Sequence, residues 1–278
     1  MVEYSRGTEG VPATNSVGAT LADGRSRRPQ VHLGVNLNNR EPLIAPQYSL
    51  TDLLDLSGTV EELGFDSVWV GDSLFSKPRY EAISLLSAIS QRTERVKLGT
   101  ACLVTSPRTP LYLALEWATL DQISNGRAIL GACMGNPEQG VRREFAALGL
   151  DYKKRAGIFE EGLQVLRALW TDGKVNFDGE HFQYEDVEFF SGTEMGPMMP
   201  AQAPPPIWVV SNIRLTGELE SDVARSRLER SCRRIVELGD GWMTCCRAEH
   251  PEEVVEQLGY LSQAAEDAEI DISGHAIL

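Results

Sequence analysis

Histidine is scarce in this chain: His32, His181, His250 and His275 are the only four, and no two lie close in sequence. Neither a His-Glu-x-x-His zinc motif nor a Gly-x-Ser-x-Gly nucleophile turn occurs, and no phosphate-binding loop ends in Gly-Lys-Ser/Thr, which removes the common metalloprotease, serine hydrolase and P-loop chemistries. The five cysteines are an odd number and none has a Cys-x-x-Cys or Cys/His spacing, so no metal ligand set is expected. Cys102 and Cys133 fall within apolar strand-like runs, where a thiol behaves as a small hydrophobe. The adjacent Cys245 and Cys246 are read as reduced, because neighbours in sequence rarely meet disulfide geometry.

Basic charge is also in the minority. With 26 Lys and Arg against 40 Asp and Glu, the formal charge is -14, and a field of that sign repels nucleic acid and anionic lipid surfaces. No apolar run approaches the roughly 18 residues of a membrane helix. The expectation is a cytoplasmic protein without nucleic-acid or membrane partners. Residues 1–30 are rich in Gly, Ser, Thr and Arg and read as a flexible leader; the Arg27-Arg28 pair is not followed by an apolar export segment. Repeats of 20–50 residues are absent.

What is present is an alternation. Strands are expected over 31–37, 67–71, 97–104, 127–133, 207–210, 241–245 and 272–278, and helices over 49–63, 80–92, 110–124, 221–238 and 251–265. Residues 137–170 read as helical with a break near 149–152. An excursion over 172–206 departs from the rhythm: it alternates around Asp178-Gly179, a hairpin signal, and then becomes a Gly/Met/Pro-rich loop bearing Met195, Met198 and Met199. Short apolar strands alternating with helices indicate a parallel sheet covered on both faces. A doubly wound sheet normally shows a Gly-rich turn after its first strand, and Asn36-Leu-Asn-Asn-Arg-Glu-Pro42 is not one. The α/β class expected is therefore a TIM (β/α)8-type barrel over 31–278, with seven strands counted, the eighth strand and helix lacking, and a hairpin insertion before strand five.

Several segments resemble the luciferase-like monooxygenase superfamily: Gly64-Phe-Asp-Ser-Val-Trp-Val-Gly-Asp72, Leu98-Gly-Thr-Ala-Cys-Leu-Val104, Ala118-Thr-Leu-Asp-Gln-Ile-Ser-Asn-Gly-Arg-Ala-Ile-Leu-Gly131, Phe145-Ala-Ala-Leu-Gly149, Pro205-Pro-Ile-Trp-Val209 and Leu238-Gly-Asp-Gly-Trp242. The resemblance implies a barrel that binds reduced FMN, or the 8-hydroxy-5-deazaflavin coenzyme F-420, at the carboxyl ends of its strands. It implies either a monooxygenase taking O2, a small organic substrate and reduced flavin from a separate reductase, or hydride transfer from a deazaflavin. A non-catalytic flavin-binding homologue and a metal-dependent barrel hydrolase are the other classes considered. Relatives in this superfamily are often dimers, so a homodimer is expected.

The same resemblance supplies the candidate site. It places a non-proline cis peptide at Ala101-Cys102, Asp72 at the end of the second strand and Gly135 and Asn136 at the end of the fourth. Asp72 and Asn136 are the catalytic candidates; Ala101, Cys102, Thr105, Ser106, Gly135, Ser211 and Asn212 are the cofactor-binding candidates, with Arg108 and Arg214 in reserve. Two departures stand out. Ser73 follows Asp72 where relatives often have His, and Asn136 replaces a carboxylate found in some of them. Both exchanges remove groups able to carry a proton near neutral pH.

Overall fold

The structure, a computed structural model, describes residues 31–189, 198–211, 222–244 and 251–277. The expected leader over 1–30 lies outside the described residues. Strand β1 (Gly34–Leu37) is followed by a short helix α1 (Glu41–Ile44) that the periodicity did not announce, and by α2 (Leu50–Glu62). A reciprocal capping box starts α2: the Asp52 amide donates to Ser49 Oγ at 3.1 Å, and the Ser49 amide donates to Asp52 Oδ2 at 2.8 Å. Then come β2 (Ser67–Val70), α3 (Ala82–Ser90), β3 (Lys97–Thr100), β4 (Leu103–Val104), α4 (Pro110–Ile123) and β5 (Ala128–Cys133). Helix α5 (Gln139–Ala147) and a single 3-10 turn (Tyr152–Lys154) lead into α6 (Arg155–Asp172). Gly173, at φ 69°, ends α6 in the left-handed conformation that glycine adopts at least cost.

The hairpin β6 (Lys174–Asp178) and β7 (Gln183–Glu188) forms its own two-stranded sheet. Its turn is longer than the Asp178-Gly179 signal suggested: the last pair is Asp178 with Gln183, and the Gly179 amide reaches the Phe182 carbonyl at 2.9 Å. The longer turn is possible because Glu161 on α6 accepts the amides of Glu180, His181 and Phe182 at 2.9 to 3.0 Å. The chain closes with β8 (Ile207–Val210), α7 (Asp222–Leu238), β9 (Gly241–Met243), α8 (Pro251–Asp267) and β10 (Ala276–Ile277). The first and last strands are shorter than the apolar pattern suggested.

All pairings in the main sheet are parallel, in the sequential order β1-β2-β3-β5-β8-β9-β10, with β4 continuing β3 alongside β5. This is the strand order of a (β/α) barrel. The third strand is interrupted: pairing with β5 stops at Gly99–Ile129 and resumes at Leu103–Ala132, so the β3–β4 side carries one residue more. That is a bulge. The Thr100 hydroxyl patches the gap, donating to the Gly131 carbonyl at 3.0 Å and accepting the Gly131 amide at 3.1 Å.

Two separate cores follow from the period of two. Val68, Val70, Leu98, Leu130, Ile207 and Val209 point to the helices and belong to the large outer core with Leu86, Trp117 and Trp170. The intervening positions point to the concave side and form a small second core: Trp69, Ile129 and Met243, flanked by Ala101, Trp208 and Val210. At the amino ends of the strands, buried Arg127 donates five hydrogen bonds to carbonyls and hydroxyls of Ser90, Thr93, Val96 and Ser124. Glu61 beside it accepts the amides of Glu94, Arg95 and Val96. This end is taken up by structural hydrogen bonds; in barrel enzymes the active site is built at the opposite, carboxyl end of the strands.

Candidate functional site

The concave face has a floor of two indoles, and glycines make it possible. Trp69 in β2 stands opposite Gly99 in β3, where a Cβ would lie 2.1 Å from the ring. Its Nε1 end overlies Gly34 of β1, where a Cβ would come within 2.7 Å. Trp208 in β8 is paired with Gly131 on one side and Gly241 on the other, and a Cβ at Gly241 would lie 2.8 Å from its ring. The two rings meet at a centroid distance of 5.1 Å and a tilt of 33°, a favourable aromatic arrangement. Trp69 is anchored by its Nε1–H to Ser67 Oγ at 2.8 Å.

Above this floor the strand ends converge. The peptide between Ala101 and Cys102 is cis and sits in the bulge, with Ala101 packed on the floor cluster. Asp72, just beyond β2, is 4% exposed; its Oδ2 accepts the Val104 amide at 3.0 Å and its Oδ1 accepts Arg108 Nη2 at 3.0 Å. Burial pushes the Asp72 carboxyl above its ordinary pKa, against the pull of Arg108. Arg108 also reaches Glu81 at 3.6 Å. Beyond β1, fully buried Asn39 donates from Nδ2 to the Gly71 carbonyl at 2.8 Å, and its Oδ1 accepts Arg79 Nη1. The Arg79 guanidinium lies against Gly71, where a Cβ would sit 2.6 Å from Nη1.

The other anticipated residues that are described lie near the same strand ends, with varied commitments. Thr105 and Ser106 are buried, and their hydroxyls turn to backbone: Thr105 toward Cys133 O, Ser106 to Arg155 O at 3.0 Å. Gly135, at φ 84°, closes against Val104, Val141 and Phe145. Asn136 is exposed and donates to Glu138 Oε1 at 2.9 Å, while its carbonyl accepts the Tyr152 hydroxyl at 2.9 Å. Ser211 follows β8; its amide donates to Met243 O and its carbonyl accepts Trp242 Nε1. Asn212 and Arg214 lie outside the described residues. Ser73 bonds Ser76 Oγ at 2.9 Å, and Glu144 accepts the Phe75 and Ser76 amides. The loop after β2 is thereby pinned to α5.

Asn39, Arg40 and Arg79 escaped the sequence reading. The available signal was Asn38-Asn-Arg40 immediately after an apolar strand, which served only to dismiss a dinucleotide turn. Among the described residues no three His, Cys, Asp or Glu side chains are gathered as a metal site would need, and no helix is long and apolar enough to cross a membrane. Grooves on the helix layer, one lined by Leu163, Arg167 and Leu238 and one by Cys232, Tyr260 and Ala264, include none of the candidate residues at the carboxyl ends of the strands.

A family model described as luciferase-like monooxygenase matches residues 31–277. An F-420-dependent glucose-6-phosphate dehydrogenase of Amycolatopsis mediterranei is 34% identical over 160 residues, covering 54% of this chain and 46% of that protein. Its counterpart from Nocardia farcinica is 30% identical over 159 residues, covering 55% and 47%. The chain thus spans about half the length of the curated relatives it matches. An F-420-dependent secondary alcohol dehydrogenase aligns with TM-score 0.69 at 22% identity, over 89% of this chain and 68% of that one. A monooxygenase from Streptomyces bottropensis aligns with TM-score 0.64 at 24% identity, over 87% and 68%. At these identities the structural matches establish the shared fold.

Proposed function

We propose, from the premise that the chain belongs to the luciferase-like monooxygenase family, that it is an oxidoreductase using the deazaflavin coenzyme F-420 to exchange hydride with a small organic substrate. The single observation carrying the choice of cofactor is the identity of the curated relatives, which are F-420-dependent dehydrogenases. The reading from sequence placed reduced FMN and O2 first and the deazaflavin second; the relatives favour the reverse order.

The residues present suit a planar tricyclic guest. The Trp69 and Trp208 rings form an apolar floor, the Ala101–Cys102 bulge presents main chain above it, and polar groups ring the mouth, the combination of apolar walls and a few placed polar groups typical of cofactor clefts. When bound, the deazaflavin supplies the carbon centre that gives or takes hydride. Ser73 and Asn136 are both engaged by neighbours and neither side chain titrates near neutral pH; the carboxyl tied directly to the bulge, Asp72 on the Val104 amide, is the group assigned to hold or release a proton. Each Asp72 oxygen accepts one hydrogen bond and retains a lone pair for a further partner. Arg108 is its positioning residue, fixing the carboxyl toward the bulge. The floor and the pinned loop after β2 keep water from the underside of the guest.

The test is a titration of the purified chain with F-420 and with FMN in parallel, followed by fluorescence. Affinity for F-420 at least about tenfold above that for FMN, a difference of about 1.4 kcal/mol, is expected. Tighter FMN binding would overturn the reading and restore the flavin–oxygen alternative, which draws its support from the missing histidine and carboxylate at Ser73 and Asn136.

A further inference from the structure

We propose that Arg40 and Arg79 form a receiving pair for an oxyanion group, carboxylate or phosphate, carried by the substrate. This deepens the function proposed above and rests on its placement of the reaction at the strand-end rim.

The geometry begins at Asn39. Its Nδ2 is used on Gly71 O, with Tyr80 O at 3.4 Å, so its oxygen is turned to Arg79. That contact draws Arg79 forty residues along the chain to the end of β1, and Arg40 is the next residue after Asn39. A Cβ at position 71 would sit 2.6 Å from Arg79 Nη1, so the glycine there gives the guanidinium its room. Arg79 is therefore placed, not trailing in solvent. One N–H satisfied by Asn39 does not account for the rest: the Nε atoms of Arg40, Arg79 and Arg108 are all buried without a hydrogen-bond partner among the described residues. Buried donors of this kind are rare unless a partner is missing from view.

Charge gives the same answer. Arg108 engages both Asp72 and Glu81, whereas neither Arg40 nor Arg79 has an ion-paired carboxylate among the described residues. Burial, and then the charge of Arg40, hold Arg79 below the ordinary arginine pKa against the opposing pull of Asp72 and Cys102, as expected of neighbouring guanidiniums in a partly dry setting. Arginine does not relieve such repulsion by losing its proton. An anion between the two would relieve it, and the planar guanidinium fork suits the paired oxygens of carboxylate and phosphate. In a chain of net charge -14, general attraction for anions is absent, so a local cationic pair is what an acidic substrate would require. A purely structural tie between β1 and the loop after β2 would need Arg79 alone and leaves Arg40 unexplained.

The experiment uses the full chain without cofactor. Inorganic phosphate and acetate are titrated calorimetrically at constant ionic strength, the two arms separating phosphate from carboxylate. At least one should bind, and Arg40→Gln and Arg79→Gln should each weaken it about tenfold or more, whereas Arg155→Gln, an arginine with a similarly unpartnered Nε beside Tyr152, should not. Thermal unfolding of each variant confirms that it is folded, and Arg40→Gln keeps the test available should Arg79→Gln fail. The titration is then repeated with saturating F-420. Unchanged anion binding supports a substrate group; displacement assigns the pair to the cofactor's own acidic tail and overturns the proposal. So would absence of binding by both anions, or equal binding by the variants. Failure of F-420 to bind the parent chain would instead remove the cofactor reading, while the anion result would stand.

Discussion

Adding one methyl group to Gly99 tests whether Trp69 really closes the concave face beneath the site. The Cβ of Gly99→Ala would lie 2.1 Å from Cζ3 and 2.2 Å from Cε3 of the Trp69 ring. Carbon atoms in contact prefer roughly 3.5–4.0 Å, so the indole must withdraw by about 1.5 Å, the difference of those distances. It has little freedom to do so. Its Nε1–H is held by Ser67 Oγ, Trp208 stands 5.1 Å away, and only 3% of the residue is exposed. Overpacking a core costs about 1–3 kcal/mol, and a rigid, tethered ring argues for the upper end. At about 2–4 °C per kcal/mol for a domain of this size, Tm should fall by about 6–12 °C in a calorimetric scan. Gly64→Ala is the control, since φ there is 84° and nothing lies within 4 Å; its cost is backbone strain of about 1–2 kcal/mol. Trp69→Leu removes the obstacle, so Gly99→Ala made in that background should cost almost nothing, a coupling of about 2–3 kcal/mol. If Gly99→Ala is no worse than Gly64→Ala, or shows no coupling to position 69, the indole is not the floor and the cavity account fails.

Asp72 carries a pKa raised by burial, so its contribution favours the folded state below the ordinary carboxylate value of 3.8 and is lost as pH rises through the raised native value. The stability of the parent minus that of Asp72→Asn should therefore decline with rising pH in urea titrations, and a difference that grows with pH would contradict it. Glu61→Ala strips the partner from three backbone amides at the structural end and should cost about 2–4 kcal/mol, read from the urea midpoint. Burial pushes the Cys232 thiol up to about 11, so at pH 8 it should resist aromatic disulfide reagents until the protein is denatured; fast labelling of Cys232 in the native state, located by mass spectrometry, would refute its burial.

The apolar alternation determined that the chain would make short strands separated by helices, because a period of two or of 3.6 is a local signal carried by the side chains themselves. The motifs also located the Ala101–Cys102 irregularity and put Asp72 at a strand end. What those residues touch was decided elsewhere. The hydroxyls of Thr105 and Ser106 were legible as polar groups after a strand, but only the parallel pairing of β4 with β5 turns Thr105 toward the Cys133 carbonyl, and only the packing of α6 brings the Arg155 carbonyl to Ser106. The hairpin was visible, whereas its longer turn depends on Glu161 from the preceding helix. The glycines at 99, 131 and 241 have no partner in the sequence itself; register is what sets them beside Trp69 and Trp208. Nothing local in the sequence singles out Arg79, which Asn39 holds from forty positions away. Periodicity reports which way one residue faces along its own element; a rim assembled from strands about thirty residues apart exists only once the sheet has chosen its order and its register.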